Sequence, residues 1–202
     1  MSDLAPLFDA LYSRLLLRDV FGKVVPGSVV IFALAASVFT AKNVADYAQS
    51  MGFWFWVLIL GSAWVMAFSV QALGESTGLI RYHKKEWSDE EFYTKRLEFE
   101  SCASQDERQQ MERFVVIKEA CGNGYLAASL AIITLAVDRV VESGLSDAFQ
   151  QTMGQSLHVI VVLVALIVFL GRMHFIHVER QSIYLITVVR SKSGKPSKQS
   201  SN

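Results

Sequence analysis

Apolar and polar positions alternate along this chain in long blocks. Four windows carry no Asp, Glu, Lys or Arg: residues 24–41, 53–73, 124–137 and 157–171. With their flanks, each approaches the ~20 residues that carry a helix across a hydrocarbon core of ~30 Å. One such run fits a buried helix in a soluble domain, but four within 202 residues predict membrane spans. The expected fold class is all-α: a polytopic membrane protein with four transmembrane helices, an N-terminal amphipathic helix and a helical hairpin between spans two and three. The expected divisions are an amphipathic interfacial helix (1–23), a first transmembrane hairpin (24–73), a polar insert (74–122), a second transmembrane hairpin (123–175) and an extension ending in a disordered basic tail (176–202).

Between the windows the period changes. In residues 3–21, Leu7, Phe8, Leu11, Leu15 and Val20 or Phe21 recur at helical spacing, with Asp9, Arg14 and Arg18 elsewhere on the wheel. Such a helix lies in the headgroup layer or packs on the insert. Pro26 and Gly27 open the first span, where a proline's missing N–H costs no helical bond. Residues 42–52 are expected to form a short outer loop. In the insert, Ser88 to Glu91 and Ser104 to Glu107 match the capping-box pattern. They predict one helix over about 88–102 and a second from about 105, running into span three with a bend at Gly122–Gly124. After span four the helix extends onward, although the β-branched run 182–189 also suits a strand. Small residues at steps of four (Ala63 and Ala67, Gly74 and Gly78, Gly124 and Ala128) suit close helix packing in a membrane. The branched aliphatics of span four suit lipid contact.

Charge adds an orientation. Lys and Arg together equal Asp and Glu at 19 each, so no net field recruits nucleic acid. The basic residues are segregated: three precede span one, eight lie in the insert and six follow span four, against one in each short connection. Basic residues stay cytoplasmic, which places both termini and the insert inside. Phe53–Trp56 then form an outer aromatic belt, with Tyr82, Trp87 and Tyr125 near the inner face. Cys102 and Cys121, the two cysteines, both fall in the insert, where a reducing compartment leaves them as thiols. The insert is acidic on balance. Arg81, Lys84 and Lys85 alone make a basic cluster, at the expected membrane surface.

Candidate chemistry is sparse. His174 and His177 lie three apart but lack the Cys or carboxylate company of a zinc site, so no metal, cofactor or catalytic set is expected. No ionisable side chain falls near the centre of a window, which argues against a proton- or cation-coupled transporter. Polar groups gather instead at the inner ends, where Gln71, Glu75, Lys118, Glu119, Asn123 and Arg172 make a candidate vestibule cluster beside His174.

In span order, inside termini and middle segment, the chain resembles the small four-span membrane components of bacterial antiphage defence systems. These are the membrane subunit of Kiwa systems and the four-span effectors of cyclic-nucleotide-triggered defence. The resemblance implies an oligomeric sensor or membrane-disrupting effector of the bacterial inner membrane, and transfers no site residue. The expected partners are the lipid bilayer, further copies of the chain and a cytoplasmic protein, with no direct nucleic-acid contact. A small-solute channel and an interfacial lipid enzyme using Glu75, His83 or His174 are the alternatives.

Overall fold

The computed structural model describes residues 14–39, 41–155 and 157–193. The N-terminal part of the expected amphipathic helix and the end of the basic tail lie outside them. A π-helical segment, Arg14–Val24, leads into α1 (Val25–Phe39), followed by α2 (Ala41–Ser50), α3 (Phe53–Ser76), α4 (Asp89–Cys102), α5 (Gln105–Gln155) and α6 (Leu157–Ser193). No strand occurs among the described residues. Four helices, Asp19–Phe39, Phe53–Ser76, Gln105–Asp138 and Val161–Ser193, contain stretches long and apolar enough to cross a membrane. Within α5 and α6 those stretches are the charge-free parts, and charged residues 105–119 and 172–193 continue the same helices beyond them.

One feature differs from the sequence pattern. The expected outer loop is the helix α2, and none of its described side chains is buried. The β-branched run 182–189 is helical, the first of the two readings given for it. α5 runs as one helix from the insert through Gly122–Gly124 into the third apolar stretch, as expected.

The wide π winding before α1 has a local cause. In α geometry Pro26 would face the Gly22 carbonyl, with no N–H to donate and a ring that crowds it. A wider turn relieves that crowding. The Gly22 carbonyl accepts instead from Asn123 Nδ2 of α5 at 2.8 Å. This bond fastens the segment to the bundle.

Two apolar clusters hold the molecule together. Among the spans, Val30, Val70, Tyr125, Leu126 and Ala127 pack together with Ile80, which follows α3. Ala63 and Ala67 are fully buried. A Cβ at Gly27 would stand 1.8 Å from the Ala63 carbonyl oxygen, so glycine is what lets α1 lie directly on α3. Gly74 meets Ile80 and Leu126, Gly124 meets Leu170, and Ala128 is buried. Gly78 lies beyond the end of α3 with φ +71°, a conformation that glycine adopts without strain; it makes a turn rather than a helix contact.

The second cluster lies in the insert. Trp87, Phe92, Phe99 and Ala103 pack on Met111 of α5 and on Leu185 and Val188 of α6. The extension after span four is therefore one structural unit with the insert. Ser88 Oγ caps α4 by accepting from the Glu91 N–H at 3.1 Å, while the Glu91 carboxylate pairs with Lys95 at 2.9 Å. At α5 both halves of the capping box form: Glu107 Oε2 accepts from the Ser104 N–H at 2.7 Å, and Ser104 Oγ accepts from the Glu107 N–H at 3.4 Å. Lys192 Nζ reaches the same Glu107 oxygen at 2.6 Å and ties the end of α6 to this corner.

Candidate functional site

Where the spans meet the insert, a buried polar network joins three helices to one loop. Residues 77–88 connect α3 to α4 without regular structure, so their backbone groups need outside partners. Two come from side chains. Lys118 of α5 is 2% exposed, and its Nζ donates to the Tyr82 carbonyl and to Gln181 Oε1 of α6, both at 2.9 Å. The Tyr82 ring lies 5.2 Å from the same ammonium group.

His174 of α6 is fully buried and makes the second link. Its Nε2 accepts from the Arg81 backbone N–H at 3.1 Å, and its Nδ1 lies 2.9 Å from the Lys118 carbonyl. An acceptor at Nε2 and a donor at Nδ1 specify one neutral tautomer. The ring reaches α5 because residue 122 is glycine: a Cβ there would sit 2.7 Å from Nδ1. Thus His174 and Lys118 bind neighbouring backbone groups of the loop, Arg81 N–H and Tyr82 C=O, and lie against each other.

On the opposite side of Tyr82 the network reaches α3. The Tyr82 hydroxyl donates to Glu75 Oε1 in a short bond, and Gln71 Nε2 donates to Glu75 Oε1 at 2.8 Å and to the Tyr82 oxygen at 3.1 Å. Burial and the neighbouring carboxylate push the phenol up to about 12. The Tyr125 hydroxyl adds a further short bond to the Leu79 carbonyl.

The structure thus brings together Gln71, Glu75 and Lys118 of the expected vestibule, with Tyr82 between them. Glu119 is half-buried on α5 and Arg172 is exposed on α6. Asn123 is engaged with Gly22, away from this network. Sequence reasoning missed Gln181 and placed Tyr82 only among the inner aromatic residues, while it set His174 beside the vestibule cluster. A signal was present: His174, His177, Val178, Gln181, Leu185 and Val188 recur every three or four residues and form the buried stripe of α6. The polar members of that stripe are what the network uses.

The groups named for other chemistry are occupied. His83 Nε2 pairs with Asp89 at 2.8 Å and its Nδ1 lies 2.9 Å from the Lys84 carbonyl. Among the described residues no group of three His, Cys, Asp or Glu side chains converges as for a metal. Cys102 and Cys121 are free thiols. Buried Gln71 Oε1, Asn123 Oδ1 and His177 Nδ1 have no hydrogen-bond partner among the described residues.

Set beside known proteins, the chain matches no family model, no curated protein and no solved structure.

Proposed function

We propose that the protein is an oligomeric sensor–effector of the bacterial inner membrane, with its termini and insert in the cytoplasm, acting in antiviral defence. A soluble signal or protein engages the insert, and the spans respond by altering membrane integrity or the activity of a partner. The observation that carries this reading is the Lys118–His174 network. It fastens consecutive backbone groups of the 77–88 loop to the two longest helices, so a displaced insert cannot move without straining the spans. The basic-residue distribution supports the orientation, and the shared organisation with four-span defence proteins supports the context. On α4, Tyr93 and Leu97 stay 63% and 72% exposed one turn apart, an apolar face open to another copy or a partner.

Occupied Glu75, His83 and His174 favour this reading over an interfacial enzyme. The test uses the full chain. Cells carrying it should plate phage less efficiently than cells carrying Lys118→Met or His174→Phe at equal membrane levels. Purified protein should be oligomeric by native mass spectrometry. A strictly monomeric protein, or variants that protect as well as the parent, would overturn the proposal.

A further inference from the structure

Beside the network, between the 77–88 loop and α6, lies a cleft of about 190 Å³ lined by Arg81, His83, Lys84, Lys85, Glu86, Phe175, Val178 and Glu179. At ~30 Å³ per water it has room for about six, the scale of a small polar headgroup. It lies at the ends of two of the apolar stretches. The charge-free part of α6 ends at Gly171, about one turn before Phe175, and α3 ends at Ser76 just before the loop.

The charges of this cleft are arranged in an unusual way. Arg81, Lys84 and Lys85 line it together with Glu86 and Glu179, yet among the described residues none of the five forms an ion pair. Arg81 is held by its own loop, Nε donating to the Gly78 carbonyl at 3.3 Å, with its guanidinium 5.8 Å from the Phe175 ring. Lys84 lies 5.0 Å from the Trp87 ring. His83 is committed to Asp89 and holds the loop in place. A cleft built for a simple anion would not carry two carboxylates.

We propose that this cleft binds a zwitterionic lipid headgroup of the phosphoethanolamine type. Arg81, Lys84 and Lys85 take the phosphate, as guanidinium and ammonium groups do. Glu86 and Glu179 accept hydrogen bonds from the primary ammonium, which a trimethylated headgroup has no N–H to make. Phe175 and Val178 supply an apolar wall toward the bilayer.

The experiment is lipid retention by the full-length protein from mixed nanodiscs of phosphatidylethanolamine, phosphatidylcholine and phosphatidylglycerol, read by native mass spectrometry. The protein should retain phosphatidylethanolamine about tenfold over either competitor, the scale that a few exposed charged contacts provide. Glu86→Gln with Glu179→Gln should shift the preference to phosphatidylglycerol; Lys84→Gln with Lys85→Gln should remove preference altogether. All four side chains line an open surface, and unchanged melting confirms that the variants fold. Equal retention of the three lipids, a parental preference for phosphatidylglycerol, or variants that retain lipid as the parent does would each overturn the proposal. Displacement of the bound lipid by soluble phosphoethanolamine at equal concentration would overturn the assignment to a membrane lipid.

Discussion

At the scale of residues, the contact between Gly122 and His174 is the most exposed to test. Gly122→Ala places a methyl group against a ring that is fully enclosed. Overpacking of this kind costs about 1–3 kcal/mol, against the roughly 1 kcal/mol that alanine gains over glycine in a helix. The variant should melt below the parent in detergent. Combined with His174→Ala the penalty should disappear, because the added methyl then occupies vacated space; additive losses would refute the contact. Tyr82 gives the pH dependence. Its folded pKa lies above its unfolded value of 10.0, so its contribution is complete below pH 10 and is lost as pH rises through about 12. The stability difference between the parent and Tyr82→Phe, followed by urea unfolding, should therefore shrink over that window. None of these pairings was legible beforehand. Gln71, Glu75 and Lys118 read as polar groups near one level, but the loop residue that joins them is fixed only by tertiary packing. Glycine 122 read as a point of flexure because its partner lies 52 residues away in sequence.

At the scale of elements, much more was legible. The charge-free windows marked the spans because an unpaired charge in hydrocarbon is costly wherever it falls. Ser104 and Glu107 marked the start of α5 because a capping box is local chemistry. The residues of α2 misled because their polarity resembles that of a loop. Run 182–189 left helix and strand both open because of its β-branched composition, and packing of Leu185 and Val188 on the insert goes with the helix. The meeting of α1 and α3 is a strong test of helix packing. Gly27→Ala brings a methyl group onto the rigid backbone of Ala63, whereas a Cβ at Gly61 meets nothing within 4 Å. The first should lower the melting temperature by several degrees in detergent, equivalent to about 1–3 kcal/mol, while Gly61→Ala leaves it unchanged or raises it. Equal effects would show that the two helices do not approach as described.

At the scale of the whole molecule, α5 extends 51 residues, or about 77 Å at ~1.5 Å per residue, well over twice a ~30 Å hydrocarbon core. The two apolar clusters lie at different levels of this rod and of α6, one among the spans and one in the insert. The orientation has a direct check in a chain whose own cysteines are replaced. With Ser50→Cys, a membrane-impermeant maleimide added to intact spheroplasts should label the α2 end; with Ser101→Cys on α4, label should enter only after lysis. Both positions are exposed. The reverse pattern would invert the topology.

The unbroken course of α5 through Gly122 and Gly124 has a mechanical meaning. Two glycines a single residue apart are the softest stretch of this rod, and each is braced from α6, one by the His174 ring and the other by Leu170. The imidazole therefore works as a splint. While it is seated, every degree of tilt at one end of α5 sweeps the far end by about 1.3 Å, given a length of ~1.5 Å per residue. Withdraw the ring and Gly122 loses its brace, so part of the same tilt is taken up there while Leu170 still backs Gly124. Two side chains of α6 thus stiffen the stretch where this helix would most readily bend.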